Sequence, residues 1–308
     1  MKRCLLIGGA GFIGTNLGVS LYSNGYDVTL CDCVEQAGLS ERLAGMKYIR
    51  MNYFEQLPDE ELLRQQDMVI LLISSLRPEN SMTQPKDCYR KDVVRMIDLL
   101  EKMRKCNVNR LVFISSGGTV YGNQNESKLN ESMATYPINH YGIMKLMQEK
   151  ILLMYNELYG MCNVIFRLSN PYGEGQKMSS GIGAVTAFLH RIMHEEEICI
   201  YGEGKTIRDY IYIEDAVDMM RLCLDKGMSA GTNALYNIGT GEGYKIIDVL
   251  HLAEKIVGKK AKIVYSDKRE FDVTRNVLDI ARIRTIIGDY ECRNLEQGMK
   301  EYYEILKS

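Results

Sequence analysis

Tyr141 and Lys145 stand four residues apart in the segment HYGIMKLMQEK, which has helical periodicity, so both side chains share one helix face. A tyrosine with an ordinary pKa near 10 is a poor base at neutral pH. A nearby ammonium favours the phenolate. Moving the phenol to about pH 7 takes roughly 4 kcal/mol of differential stabilisation. The pairing predicts a proton-transferring tyrosine supported by a lysine. Taken alone, the same spacing also describes two surface residues of an ordinary helix.

A second motif makes the chemical reading specific. GGAGFIG places Gly8, Gly11 and Gly14 directly after an apolar run and at the start of an amphipathic one. Such glycines permit a tight strand-to-helix turn and let the backbone approach a pyrophosphate at a helix N-terminus, where free amides and the helix dipole favour an anion. Asp32 follows Gly14 by 18 residues, at the end of the next apolar run. A carboxylate there accepts hydrogen bonds from the hydroxyls of an adenosine ribose. No Arg or Lys directly follows Asp32, which favours NAD over NADP. The alternative is a glycine-rich turn with no ligand. With the turn upstream, the positive charge of an oxidised nicotinamide joins Lys145 as a second cation favouring the Tyr141 phenolate.

These residues need a scaffold, and the pattern supplies one. Apolar, β-rich runs at Arg3–Ile7, Asp27–Cys31, Met46–Arg50, Met68–Ile73, Arg110–Ser115 and Asn163–Leu168 read as strands buried on both faces. Helical patterns lie between them at Phe12–Ser23, Asp92–Lys105 and Tyr141–Leu158. This alternation predicts an α/β fold with a doubly wound parallel sheet. After Leu168 the rhythm breaks into glycine-rich loops around a helix at Ala184–His194, then a strand at Leu235–Thr240 and a helix at Ile246–Val257. We expect residues 1–168 and 211–245 to form the dinucleotide-binding part. Residues 169–210 and 246–308 would form a smaller, interleaved substrate lobe.

Composition excludes several other classes. The 308 residues are 46% hydrophobic and 25% charged, with a net charge of −2, so wholesale disorder and a general nucleic-acid binder are both excluded. Nine cysteines include no C-x-x-C pair, which predicts reduced, mostly buried thiols in a cytosolic protein and no zinc ribbon. His190 and His194 have metal-compatible spacing but lie beside the charged run Glu195–Glu197, which reads as a solvated face. No metal site is expected. No stretch approaches the roughly 18 apolar residues that would span a membrane, and glycines interrupt the apolar N-terminus too early for a signal peptide.

The constellation resembles the extended short-chain dehydrogenase/reductases, in particular the NAD-dependent nucleotide-sugar epimerase/dehydratase group typified by UDP-galactose 4-epimerase. GGAGFIG, Asp32, ISSGGTVYG (114–122), Tyr141 with Lys145, FRLSNPYG (166–173), IYGEGKTIRDYIYIEDA (200–216) and YNIGTGEGY (236–244) carry the resemblance over nearly the whole chain. It implies a Rossmann-type sheet and NAD held by Gly8, Gly11, Phe12, Ile13, Gly14, Asp32 and Ser115, with Asn52 near the adenine. Lys145 would grip the nicotinamide ribose and Tyr141 would act as the base. Asn170 would contact a sugar nucleotide, and Arg208 and Arg269 would neutralise its diphosphate, for which the planar guanidinium fork is suited. The reaction implied is 4-epimerisation through a transient 4-keto sugar. Another reaction through the same ketone, or a non-catalytic NAD-binding regulator, is the alternative.

Departures from the family pattern carry their own expectations. A Ser or Thr donor usually stands where this chain has Gly117, so Ser116 or Thr119 must supply the hydroxyl. Asp92 replaces a usual Asn, and Leu71-Leu72-Ile73 replaces a usual His-x-Ala. Gly118 and Thr119 occupy the places of the Asp-Glu pair of dehydratases, which argues against dehydration. Family members commonly pair the helices 92–105 and 141–158 with their copies in a four-helix bundle, implying a homodimer. Seven residues after Arg269, Asn276 falls at a position that lies beside the sugar in the epimerases. There it would admit N-acetyl groups, or else merely cap local backbone.

Overall fold

The computed structural model describes residues 1–75, 81–83, 86, 89–177, 183–226, 234–267 and 272–307. The expected strands are present as β1 (Arg3–Ile7), β2 (Asp27–Asp32), β3 (Lys47–Arg50), β4 (Met68–Leu71), β5 (Leu111–Ser116), β6 (Val164–Leu168) and β11 (Leu235–Ile238). They form one seven-stranded sheet in the order β3-β2-β1-β4-β5-β6-β11. Every pairing in it is parallel. The order reverses between β1 and β4, which opens a crevice at the carboxyl ends of the strands.

Strand periodicity sorts the core into two layers. Cys4 and Leu6 of β1 face one apolar cluster, and Leu5 and Ile7 face the other. The first cluster is closed by α1 (Phe12–Ser23) and α6 (Ile213–Asp225). The second is closed by α3 (Arg95–Lys105) and α4 (His140–Tyr159). The expected helix 92–105 is therefore real but not uniform: residues Tyr89–Val94 are wound as a π-helix before α3 begins. In the same way β4 stops at Leu71, two residues before its expected end. Leu72 and Ile73 leave the sheet to cross over the Gly8 turn, where a Cβ on Gly8 would lie 3.2 Å from the Ile73 nitrogen.

The smaller lobe has its own core of Tyr172, Val185, Phe188, Leu189, Ile198, Ile200, Val249, Leu250, Met299 and Tyr302. It is built on α5 (Ala184–Met193), α7 (Ile246–Val257) and α9 (Leu295–Lys307). Short sheets frame it: β7 (Asn170–Tyr172) with β10 (Tyr210–Tyr212), and β8 (Glu197–Tyr201) with β13 (Lys262–Ser266). The third joins β9 (Ile207–Arg208) to β12 (Tyr244–Lys245) and β14 (Arg275–Asn276). The expected segment boundaries need correction. Helix α8 (Ala281–Ile287), expected in the substrate lobe, packs Ile283 and Ile287 in the first sheet cluster beside α6. Tyr212, expected in the dinucleotide-binding part, buries its ring with Tyr210 in the core of the smaller lobe. Burial of apolar faces, rather than chain order, decides both memberships.

Candidate active site

The glycine turn is shaped by contacts that tolerate no side chain. A Cβ on Gly14 would lie 2.3 Å from the Gly8 carbonyl oxygen and 2.8 Å from the Gly9 Cα. Gly8 adopts φ +86°, and the Gly8 and Gly9 amides both donate to the Cys31 carbonyl, at 2.8 and 3.2 Å. Gly11 caps α1 in an extended conformation with no side-chain cap, and the first turn carries no acidic residue. The helix amides are thereby left for an anion. Asp32 ends β2 with Oδ2 accepting from the Ala10 amide at 3.0 Å and Oδ1 from the Cys33 amide at 2.8 Å, which ties it to the turn. Phe12 and Ile13 open α1. Half-buried Asn52 follows β3, with its Oδ1 accepting from the Phe54 amide at 3.2 Å. This cradle, with a carboxylate at the next strand end, fits a dinucleotide.

Helix α4 delivers the Tyr–Lys pair. Asn139 Oδ1 accepts from the Gly142 amide at 2.8 Å and starts the helix; left-handed Gly160, at φ 63°, stops it. A Cβ on Gly142 would lie 3.0 Å from the Thr119 carbonyl oxygen, so this glycine lets the first turn, with Tyr141, close on the β5 loop. Lys145 is buried, with Nζ donating to the Ile114 carbonyl at 3.0 Å and standing 5.7 Å from the centre of the Tyr141 ring. Burial pushes the ammonium down to about 8, against the opposing pull of Asp92 and Glu149. The sequence-based expectation for Tyr141 needs correction. Burial, and then the Asp92 carboxylate, push its phenol above its usual value. Desolvation disfavours the phenolate, and Lys145 is turned toward a main-chain carbonyl.

Around Gly117 the chain departs from a Ser- or Thr-bearing loop for a visible reason. A Cβ there would lie 2.6 Å from the Leu278 Cδ1 and 3.2 Å from the Arg167 carbonyl oxygen. Two hydroxyls flank the gap. Thr119 is buried, and its Oγ1 has no hydrogen-bond partner among the described residues. Ser116 Oγ and Asn170 Oδ1 face one point: a Cβ on Gly118 would lie 3.8 Å from the first and 3.9 Å from the second. Asn170 is fixed by its Nδ2, which donates to the Asp209 carbonyl at 2.8 Å.

The remaining expected residues divide. Arg208 lies half-buried on β9, in register with Tyr244 and Asn276. Asn276 is fully buried, with Nδ2 donating to the Gly117 carbonyl at 2.7 Å. That backbone is distant in sequence rather than local, and the Asn276 Oδ1 has no hydrogen-bond partner among the described residues. Arg269 lies outside the described residues. The Ser115 hydroxyl, expected at the cofactor, donates to Glu149 Oε1 at 2.5 Å.

Sequence reasoning missed two buried polar groups and left a third, Asp92, without a partner or a role. Glu149 forms a buried ion pair with Arg167, at 2.7 Å. Asp209 accepts from the Thr240 amide and hydroxyl at 3.0 and 2.8 Å, the Gly241 amide at 3.1 Å and the Leu278 amide at 3.3 Å. It thus joins β9 and β10 to the segments after β11 and β14.

A parallel doubly wound sheet, a phosphate-cradling turn and a Tyr–Lys pair at the crevice define a dinucleotide-using enzyme class. The chain belongs to the NAD dependent epimerase/dehydratase family, whose model matches residues 4–239. It is 30% identical over 312 residues to the dTDP-4-dehydro-6-deoxyglucose reductase of Escherichia coli, covering 98% of this chain and 97% of the relative. It is 29% identical over 303 residues to the UDP-glucose 4-epimerase of Lactobacillus helveticus, covering 93% and 91%. The crystal structure of UDP-glucose 4-epimerase from Thermotoga maritima with UDP-glucose superposes with a TM-score of 0.89 at 30% identity, covering 99% of both chains.

Proposed function

We propose that the protein is an NAD-dependent nucleotide-sugar 4-epimerase. What supports the reading is that Lys145 stands beside the Tyr141 ring, the same helix turn packs on Thr119 through Gly142, and Ser116 and Asn170 face one point at Gly118. Bound NAD supplies a hydride acceptor that returns what it takes. Tyr141 removes the proton of the sugar 4-hydroxyl and later restores it. Lys145 holds the nicotinamide ribose and keeps a positive charge beside the phenol. Thr119 or Ser116 donates a hydrogen bond to the developing oxyanion, replacing the hydroxyl that Gly117 lacks. Asn170 positions the sugar nucleotide, and Arg208 and Arg269 offset its diphosphate charge.

Gly8, Gly11, Phe12, Ile13, Gly14, Asp32 and Asn52 form the cofactor side, and the smaller lobe forms the substrate side. A second reading, net reduction of a 4-keto sugar nucleotide, is favoured by the 30% identity to the Escherichia coli reductase. Incubating the purified protein with UDP-, GDP-, CDP- and dTDP-sugars separates the two. An epimer pair formed without net cofactor consumption supports epimerisation. Product formed only with stoichiometric reduced cofactor supports reduction.

We also place the protein in the cytosol as a homodimer. Buried thiols at Cys4, Cys31, Cys106 and Cys223 suit a reducing compartment. Ile143, Met147, Met154 and Leu158 expose one apolar stripe of α4. Light scattering checks this: a mass near twice the 35.2 kDa of the chain supports pairing, and a mass near one chain opposes it.

A further inference from the structure

Among the buried polar groups, Asp92 has no part in the roles above, and its surroundings point at the Tyr–Lys pair. It lies in the π-wound turn Tyr89–Val94 and is only 3% exposed. Its carboxylate accepts from the Ser75 amide at 3.0 and 3.2 Å and from the Ser75 hydroxyl. Ser75 belongs to the chain leaving β4, which passes the cofactor crevice. Gln148 Nε2 on α4 donates to the Asp92 carbonyl at 3.2 Å. Next to it, Val93 and Met144 pack in one cluster with Tyr89 and Tyr141. A carboxylate is thereby fixed at fixed depth against the face of α4 that carries both reacting side chains. Single-turn π segments recur at functional sites, because the wider turn re-aims a side chain that an α-helix would point elsewhere.

We propose that Asp92 is a positioning residue of the candidate active site, its Ser75-tethered carboxylate acting through charge to hold the Lys145 ammonium and the Tyr141 phenol in their protonated forms. Its influence has this sign on both groups, raising the phenol and opposing the effect of burial on the ammonium. The rest of the charged neighbourhood is mixed. On α4, Glu149 is paired with Arg167 of β6 and acts with Asp92 on the Lys145 ammonium, whereas of the two only Asp92 acts on the Tyr141 phenol. Along the helix that carries Asp92 stand Arg95, whose Nε donates to the Tyr53 carbonyl at 2.8 Å, and Asp98, and both act on the buried Tyr53 phenol together with Asp92. Tyr89 shares a hydrogen bond of 2.8 Å with His140 Nδ1 at the start of α4. Removing the Asp92 charge therefore leaves no second carboxylate on this turn tied to Ser75. A proton held on Tyr141 before substrate arrives keeps the base from forming unless bound cations offset the carboxylate. The result is a tyrosine that becomes basic only in the loaded site.

The inference rests on Tyr141 and Lys145 being the reacting pair, so its test separates the two ideas. Asp92→Asn keeps the size and an acceptor for the Ser75 amide and removes only the charge. Both limbs of the pH profile of kcat/KM should move to lower pH together, by roughly half to one unit. A purely structural Asp92 would lower the height of the profile and leave its limbs in place, and that result overturns the proposal. Ser75→Ala retains the charge and should leave the limbs where they are; a displacement as large as that of Asp92→Asn would also overturn it. A readout independent of turnover is the tyrosinate ultraviolet absorbance of the NAD-saturated protein, taken as the difference from the matching Tyr141→Phe variant. The Tyr141 transition should move to lower pH in Asp92→Asn, and an unmoved transition refutes the charge effect. Full turnover by Tyr141→Phe, by contrast, removes the reading on which the inference stands.

Discussion

Thr119→Val should make the protein more stable and less active at once. The Thr119 Oγ1 is buried and has no hydrogen-bond partner among the described residues, while the rest of the residue is packed between the β5 loop and Gly142. A buried hydroxyl without a partner costs about 1–3 kcal/mol relative to one that is satisfied. Valine fills nearly the same volume and removes that group, so the expected gain is about 1 kcal/mol. For a chain of 308 residues that is an increase of about 1.5 °C in Tm. The same hydroxyl is our candidate donor to the developing oxyanion. Losing one such donor typically costs about 2.7–4 kcal/mol of transition-state stabilisation, or about 10²–10³ in kcat. Scanning calorimetry and steady-state turnover on the epimer pair, run on the same preparation, measure both effects. Ser116→Ala is the internal comparison, because Ser116 is only half-buried and its loss relieves no comparable penalty. A Thr119→Val protein that melts earlier and turns over at full rate would refute the reasoning, since its hydroxyl would then be structural.

Gly14→Ala should lose NAD affinity and several degrees of Tm, because its Cβ would meet the Gly8 carbonyl oxygen at 2.3 Å and backbone must move; isothermal calorimetry and thermal melts read both. Lys145→Met should reverse a pH-dependent penalty. The folded ammonium is depressed from 10.5 to about 8, so the folded state sheds its proton first and the unfolded chain binds more protons between those values. The stability contributed by neutral Lys145 is thus complete above the unfolded value and lost as pH falls through about 8. The variant should gain most over the wild type at pH 7, with the gap closing toward pH 10; a gap constant with pH contradicts the assignment. Asp209→Asn should destabilise by about 2–4 kcal/mol in denaturant titration, since an amide nitrogen would face the donors now served by the carboxylate.

The parts legible in the sequence were those governed by repeating patterns. Helix α1 and strand β1 have the expected ends, because glycine and polar residues punctuate an apolar rhythm there. Strand β4 was read too long because Leu72 and Ile73 are as apolar as the strand; what ends it is the need to cross Gly8, a tertiary fact. The π turn ahead of α3 left no periodic mark, since one helical turn of altered winding shifts few residues. Asn276 was placed by its distance along the chain from Arg269, while its burial under Gly117 depends on Leu278 filling the space that a side chain would take. The glycine turn, Asp32, Tyr141 and Lys145 could be proposed from sequence because each motif is local. Glu149 and Asp209 were not, and Asp92 was noted only as a replacement for Asn, because the partners of all three lie elsewhere in sequence and a single charged letter does not reveal what it meets.

The most direct test of the central claim is turnover by Tyr141→Phe with NAD content measured on the same sample. Only the phenolic oxygen is removed, so fold and bound cofactor should match the wild type. Epimerisation should fall by at least about 10²-fold, the ordinary contribution of a positioned acid–base group. A variant that retains its cofactor and interconverts the epimers at the wild-type rate would contradict the account.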